Sequence, residues 1–211
     1  SAAPREGRRG GRRGAGHVTG PRQLPWKQPR LRFPAVEAVS ADELEAIHDA
    51  SLTILEEIGM DVLLPEARAL FKAAGAEVEP DGQRVRMARE LVLGAVATCP
   101  ATIHLHARNP ARDVMLGGDL MAFSHVSSPP NCSDLDRGRR PGSQEDFRNF
   151  LKLIQQLNMM HLIGGYPVEP VDVHPNLRHL ECIRDFVTLT DKAFHAYSLG
   201  WGRIRDGIEM T

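Results

Sequence analysis

The sequence predicts an α/β fold whose second half alternates strands and helices, preceded by a basic tail and a small α+β region. From residue 119 onward, apolar strand-like runs alternate with amphipathic helical runs in the order strand, helix, strand, helix, strand. That order is typical of parallel strands joined by right-handed crossovers. Before residue 119, short helical and hairpin patterns follow one another without this alternation. On this rhythm alone, a doubly wound sheet and a closed barrel fit equally well.

The composition is that of one domain of ordinary size. The chain has 211 residues, of which 42% are hydrophobic, and this is enough to build a core. No run approaches the roughly 18 apolar residues of a membrane helix, and no apolar stretch of a secretory signal follows the basic N-terminus. Three scattered cysteines without CxxC spacing favour a reducing compartment, so we expect a cytoplasmic protein. Because the chain starts with Ser1 and ends within an element, we expect part of a longer protein.

Residues 1–34 are predicted to form a disordered basic tail. Residues 1–32 carry nine basic side chains and one Glu, so the remainder has 17 basic and 26 acidic side chains and a net charge of −9. An Arg/Gly-rich run buries too little apolar surface to offset its ordering entropy. The tail could bind RNA or an acidic partner, or it could lie solvated on the acidic body of the chain. The lack of aromatics between the arginines favours the second interpretation, and makes nucleic acid a poor candidate partner.

Residues 35–118 are predicted to form the α+β accessory region. Residues 40–58 have apolar side chains at helical spacing, with Ser40 and Glu43 as a capping box and Gly59 as the stop. A second helix starts at Pro65, a hairpin turns at residues 81–82, and further patterns predict a helix over 89–98 and strands around a turn at 109–110.

Two pairs of polar residues, one in this region and one in a predicted helix of the second half, have the spacing that places both side chains on one face. His104 and His106 lie on one face of a predicted strand, which is compatible with metal binding. Because no third ligand has a suitable spacing, we expect no metal there, and in particular no zinc. Glu181 and Asp185 lie one helical turn apart, and such a pair usually faces solvent.

Residues 119–211 are predicted to contain the parallel strands. The apolar run LMAFSHV (120–126) predicts the first strand, and the runs around residues 160–168 and 192–200 predict the next two. The helices between them begin near Ser143, a good N-cap, and Pro175. Since parallel strands place their ligand loops at their carboxyl ends, the loops after all three strands should open on one face.

Polar and aromatic side chains follow each of these strand ends, and we predict that they bind substrate. They are Ser127, Ser128, Asn131, Asp134, Tyr166, His195 and Tyr197. The alternatives are structural, because Asn and Asp often cap turns, strand-end aromatics often pack, and a strand His is often a satisfied core residue. No catalytic residue is assigned. A nucleotide has no support, since neither GxGxxG nor GxxxxGK[ST] is present.

Several ordered motifs resemble the trimethylamine methyltransferase family, which comprises corrinoid-dependent methyltransferases. They are LEAIHDASLTILEEIGMDV, LFKAAGAEVEPDGQRVRMARELV, HLHARNPARDVMLGG and GGDLMAFSHVSSPPNCSDLDRGRRPGSQEDF. The resemblance covers essentially the whole chain, but only the N-terminal portion of a full family member. Some members contain pyrrolysine, whereas others are similar to glycine betaine methyltransferases, and the distinguishing position lies beyond Thr211.

The resemblance implies a fold and a reaction. The strands would be the first βα units of a TIM (β/α)8 barrel. A methyl group would move from a methylated amine, such as trimethylamine or glycine betaine, to the Co(I) corrinoid of a partner protein. This chain would bind no corrinoid directly and would be inactive alone, and the full-length form would be a homo-oligomer. A cationic amine is suited by aromatic faces, for which Tyr166, Tyr197 and Trp201 are candidates.

Overall fold

The computed structural model describes residues 22–33, 36–80, 82–196 and 200–211. The α-helices in these ranges are Ala41–Thr53 (α1), Pro65–Ala73 (α2), Arg89–Ala97 (α3), Gln144–Gln156 (α4), Pro175–Leu189 (α5) and Trp201–Met210 (α6). A π-helical turn, Ile54–Ile58, continues α1, and Pro110–Arg112 forms a short 3-10 helix. The strands are Met60–Asp61 (β1), Glu77–Val78 (β2), Arg84–Arg86 (β3), Thr102–Leu105 (β4), Val114–Gly117 (β5), Asn131–Asp134 (β6), Gly138–Pro141 (β7), Leu162–Ile163 (β8) and Ala193–Phe194 (β9). None of the described helices is long and apolar enough to cross a membrane.

The first half contains the predicted helices and hairpins. The predicted capping box is present at α1, where the Ser40 hydroxyl accepts from the Glu43 N–H and the Glu43 carboxylate accepts from the Ser40 N–H. Gly59 ends this helical region with a φ of 77°, and a Cβ there would lie 2.5 Å from the Val85 carbonyl oxygen. β1, β3 and β2 form an antiparallel sheet, and β4 pairs with β5 in a separate hairpin.

The second half contains one parallel strand pair. β8 and β9 pair in parallel, with Leu162 opposite Ala193 and Ile163 opposite Phe194, and α5 lies between them in the chain. This arrangement agrees with a mixed α/β fold. The described residues do not close a barrel, because their strands form separate sheets of two or three.

The predicted first strand, LMAFSHV, is extended but is not a regular strand. It lies beside the chain that leads into β8, where the His161 N–H donates to the Phe123 carbonyl at 2.9 Å. The Phe123 N–H donates to the Nδ1 atom of the His161 ring at 3.0 Å. In a regular β-ladder the Phe123 N–H would donate to a backbone carbonyl of the neighbouring strand. Here it donates to the His161 side chain, so the pairing stays irregular. His161 is 1% exposed, so this hydrogen bond from backbone to side chain is buried.

The core lies between α4, α5 and the parallel strands. Its buried members are Phe147, Leu151, Ile154, Ile163, Tyr166, Val168, Cys182 and Phe186. α4 supplies three of them at positions i, i+4 and i+7, which is the spacing of one helical face. Burying each large apolar side chain contributes about 1.5–3 kcal/mol, so this helix face anchors the second half.

A buried lysine supports the same helix from the start of β9. Lys192 is 1% exposed, and its ammonium group donates to the carbonyls of Ile154 and Leu157 at 2.6 and 2.8 Å. Burial lowers the pKa of Lys192 to about 8. These carbonyls end α4, where a cation is favoured by the helix dipole.

Three predictions need correction. Residues 22–33, predicted to be part of the tail, contact the body: Arg30 pairs with Asp119 at 2.5 Å, and Gln28 bonds to the backbone of Met115. Residues 1–21 lie outside the described residues. The segment 131–134, predicted to be loop, is strand β6, paired with β7. Asp185, expected on a solvated face, is 3% exposed because Arg148 pairs with it at 2.8 Å across the α4–α5 contact.

Candidate functional site

The segments that follow the extended run, β8 and β9 lie beside one another at one edge of the second half. We use the name carboxyl edge for residues 127–130, 164–169 and 195–196. The Ser128 N–H donates to the Tyr166 carbonyl at 2.7 Å, and the His195 N–H donates to the Ile163 carbonyl at 2.8 Å. The edge thus brings Ser128, Tyr166 and His195 to neighbouring strand ends. Tyr197, a further predicted site residue, lies outside the described residues.

Ser128 adopts a backbone conformation that is uncommon for a residue with a side chain. Its φ is 52°, in the left-handed region, and among the described non-glycine residues it alone has a positive φ. The Pro129 carbonyl accepts from the Glu169 N–H at 2.9 Å, so both sides of this bend are bonded to the loop after β8. Such strain is tolerated only where surrounding contacts fix the chain, and it is commonest at functional sites.

A cavity of about 310 Å³ opens at the carboxyl edge between the N-terminal ends of α5 and α6. Its walls are Ser128, Tyr166, Glu169, Pro175, Arg178, His179 and Arg203. Arg178 donates to Glu169 at 2.7 Å and to the Val173 carbonyl at 2.9 Å, which fixes both charged groups. Since one carboxylate and two guanidinium groups line it, the cavity is suited to an anionic or zwitterionic ligand.

His179, like Arg178 and Arg203, is a polar wall residue that sequence reasoning missed. It is 8% exposed, and its Nε2 atom lies 2.8 Å from the Asp206 carboxylate of α6. Its Nδ1 atom is buried and has no hydrogen-bond partner among the described residues. A buried ring nitrogen without a partner is uncommon in folded proteins and marks His179 as a residue to test. The sequence signal was weak, since one His in a helix is usually a packing residue.

Tyr166 belongs to the core as well as to the cavity wall. Its ring packs edge-to-face on Phe147 at a centroid distance of 5.6 Å, and the residue is 5% exposed. Burial raises the pKa of its hydroxyl, and the hydrogen bond with Cys182 adds to the shift. Burial also raises the pKa of the Cys182 thiol to about 12. Both groups therefore stay protonated at neutral pH. Trp201, the other described aromatic candidate, is 74% exposed and does not line this cavity.

The remaining predicted site residues differ in what surrounds them. The Asp134 carboxylate accepts from the N–H groups of Asp136 and Arg137 and pairs with Arg140 at 2.9 Å. It therefore stabilises the β6–β7 turn, which is the structural alternative considered above. Asn131 is half-buried in β6, opposite Pro141. Ser127 and His195 are exposed at the carboxyl edge.

The sequence led us to expect no third metal ligand beside His104 and His106, but the structure places a candidate, Asp113, next to both. The carboxylate of Asp113 lies 2.9 Å from the Nε2 atom of His104 and 3.3 Å from the Nδ1 atom of His106. Asp113 lies directly before β5, the partner strand of β4, so a search for a third ligand by spacing along one strand does not find it.

The parallel unit of β8, α5 and β9 places the chain among α/β proteins. Comparison with known proteins then gives the family: the model of the trimethylamine methyltransferase family matches residues 5–211, so the chain belongs to that family.

Similar proteins include methyltransferases with several names. A glycine betaine methyltransferase of Desulfitobacterium hafniense strain Y51 is 35% identical over 179 residues, which is 85% of this chain and 37% of that protein. A trimethylamine methyltransferase of D. hafniense strain DSM 10664 / DCB-2 is 30% identical, covering 65% of this chain and 28% of that protein. A proline betaine:corrinoid methyltransferase of Eubacterium limosum is 26% identical over 64% of this chain. The chain spans between 27% and 37% of these relatives.

Proposed function

We propose that the protein containing these residues transfers a methyl group from a methylated amine to the corrinoid of a separate partner protein. Membership of the trimethylamine methyltransferase family carries this proposal. The names of two relatives, the proline betaine:corrinoid and L-carnitine:corrinoid methyltransferases, support the corrinoid as methyl acceptor. The acceptor would supply the nucleophile, so the protein's task would be to bind the amine and align it.

We also propose that β8 and β9, with the extended run before them, are the first strands of a TIM barrel. The parallel register of β8 and β9 and the intervening α5 support this architecture. In such a barrel, ligands bind at the carboxyl ends of the strands. The carboxyl edge described above would then face the active site, which further strands would complete.

The residues of this edge would bind the amine substrate. Its cavity of about 310 Å³ is of a size for a small molecule and too small for a corrinoid, in agreement with an acceptor held by the partner. Ser127, Ser128, Tyr166, His195 and Tyr197 remain proposed contacts. Asn131 also remains a proposed contact, whereas Asp134 would act through the β6–β7 turn that it stabilises. His179, with its buried Nδ1 atom, joins the proposed contacts.

The charges of the cavity favour an amine that carries a carboxylate. Arg178 and Glu169 pair with each other in the wall, so Arg203 gives the cavity its net positive charge. A betaine carboxylate would find a cationic donor in Arg203, while trimethylamine would offer it nothing. The 35% identity to a glycine betaine methyltransferase agrees with this preference.

Methyl transfer from a panel of amines tests the proposal. The gene product containing these residues is mixed with a reduced corrinoid protein and with trimethylamine, glycine betaine, proline betaine or carnitine. We expect methyl-corrinoid absorbance with at least one betaine. The absence of methyl transfer from every amine would reject the function.

Two histidine variants test the cavity in the same assay. His179→Gln keeps a donor toward Asp206 but removes the ring nitrogen that has no partner, and we expect at least about a tenfold loss of kcat/KM. His48→Gln changes an exposed histidine of α1 and should leave the rate unchanged. Equal rates in the two variants would remove His179 from the site but leave the proposed activity in place.

A further inference from the structure

The hairpin β4–β5 brings three metal-ligand side chains together in the accessory region. Its antiparallel register places His104 opposite Met115 and Leu105 opposite Val114. One step further along, His106 faces Asp113. His104 lies two residues before His106 and therefore on the same face of its strand. The Asp113 side chain is thus the direct neighbour of His106 and the diagonal neighbour of His104.

The ligand atoms of this group lie at distances close to those found around a bound metal ion. The two imidazoles contact the same carboxylate oxygen, at 2.9 Å from His104 Nε2 and 3.3 Å from His106 Nδ1. Their ring centroids are 4.1 Å apart, and the candidate ligand atoms all lie within 4.8 Å of one another. Around tetrahedral zinc with bonds of about 2.0–2.2 Å, neighbouring ligand atoms are about 3.3–3.5 Å apart. The two imidazole–carboxylate contacts are therefore equal to or shorter than the ligand spacing around zinc, and the His104 contact would lengthen when an ion binds.

The carboxylate is held in place by its other oxygen. The Ala107 N–H donates to Asp113 Oδ1 at 2.8 Å, which leaves Oδ2 directed at the two imidazoles. The turn itself is fixed by Asn109, whose side chain accepts from the Ala111 N–H at 3.1 Å. A carboxylate ligand with a bonded outer oxygen is typical of metal sites.

The donor set selects a class of ion. Two imidazole nitrogens and one carboxylate suit zinc and its first-row neighbours, whereas magnesium and calcium prefer oxygen ligands alone. Three protein ligands leave at least one position for water, as in zinc sites that are not purely structural. The side chains are accessible to such an ion, because those of His104 and His106 are 44% and 76% exposed.

We propose that His104, His106 and Asp113 bind one divalent cation of the zinc class at the end of the β4–β5 hairpin. The ion would replace the two contacts between imidazole and carboxylate with bonds to the metal. It would also join the two strands near the turn. The proposal does not depend on the proposed methyl transfer.

Zinc binding to the gene product containing these residues, purified without a histidine tag, tests the proposal. Isothermal titration with zinc chloride should show one site in the wild type, together with a rise in the melting temperature. His104→Gln and Asp113→Asn should each weaken this site at least about tenfold and abolish that rise. Asn can still accept from Ala107, so the Asp113 variant should keep the turn.

Matched controls separate this site from adventitious binding. His48→Gln removes an exposed histidine elsewhere and should bind zinc as the wild type does. His106→Gln, at the more exposed of the two imidazoles, provides a variant whose folding should be unaffected, as circular dichroism would verify. Cobalt added to the wild type should give the strong visible absorption of a tetrahedral site. Zinc affinity that is equal in the wild type and in all three site variants would overturn the proposal, as would an absence of binding to the wild type.

Discussion

Asp146 connects the β6–β7 hairpin to the first turn of α4. One carboxylate oxygen accepts from the Ser143 N–H and hydroxyl, completing a capping box, and the other accepts from Arg140. Burial alone would raise the pKa of Asp146, but the hydrogen bonds from Ser143 and Cys132 and the charge of Arg140 together lower it below 3.8. The charged form is therefore the one that the fold stabilises.

Asp146→Asn should lower the free energy of unfolding by about 1–3 kcal/mol at pH 7, because it removes the charge that pairs with a half-buried guanidinium and weakens the cap. A depressed carboxyl pKa contributes stability above the unfolded pKa, and this contribution is lost as pH falls through the folded pKa. The difference between wild type and variant should therefore be constant above about pH 5 and shrink below pH 3.8. Urea unfolding over a pH series measures it.

Asp136→Asn, at an exposed position of the turn between β6 and β7, is the matched control. It should change the free energy of unfolding by less than about 0.5 kcal/mol. A difference between wild type and Asp146→Asn that stays undiminished at about pH 2 would contradict the assigned charge.

At the scale of elements, the end of the β6–β7 hairpin packs against the loop after β8. The Gly142 N–H donates to the Pro130 carbonyl at 3.0 Å, and the Gly142 carbonyl accepts from Val171 at 3.2 Å. A Cβ at Gly142 would lie 2.4 Å from a Val168 methyl carbon and 2.6 Å from the Glu169 carbonyl oxygen. The backbone approach at this point therefore leaves room only for glycine.

Gly142→Ala should destabilise the protein by about 1–3 kcal/mol, because the Glu169 carbonyl is backbone and cannot move without disturbing the carboxyl edge. Gly94→Ala is the matched control. It lies inside α3 with nothing within 4 Å of its Cβ position, so it should stabilise the protein by about 0.5–1 kcal/mol. Thermal melts of both variants measure these effects, and equal melting temperatures would mean that the hairpin does not pack as described.

The helices were predictable from sequence because their signals are local. Two capping boxes, each within four residues, mark the starts of α1 and α4: Ser40 with Glu43, and Ser143 with Asp146. Strand β6 was not predictable, since NCSD has no apolar alternation and depends on the pairing of Asp134 with Arg140. The His104–His106–Asp113 group was missed for a related reason. Its third member is adjacent only through the register of a neighbouring strand.

At the scale of the whole molecule, the segment 22–33 joins the two halves. Gln28 bonds to Met115 of the accessory hairpin and to Met121 of the extended run, and Trp26 packs its ring near His161 at 5.7 Å. The sequence assigned this segment to a tail by its basic composition, yet Trp26 and Gln28 make specific contacts. The amino-acid composition of a segment is an average over its residues, so it does not reveal contacts that depend on one or two side chains.

The proposed barrel makes a prediction about the 211 residues expressed alone. Among the described residues, β9 pairs only with β8, so the backbone groups on its other edge are unpaired. The strand also carries the apolar residue Phe194. Open parallel edges recruit further strands, either from the rest of a barrel or from other copies. We expect the isolated segment to form oligomers or aggregates and to show no methyl transfer.

Light scattering after gel filtration compares this segment with a longer gene product that includes the rest of the proposed barrel. The longer product should give a discrete particle, because further strands would cover β9. Urea unfolding of this longer product, as wild type or as the Asp146→Asn variant, should then be one cooperative transition. A monodisperse, two-state melting monomer of 23.3 kDa from the isolated segment would contradict the open edge. It would place β9 at the border of a complete fold instead of inside a barrel.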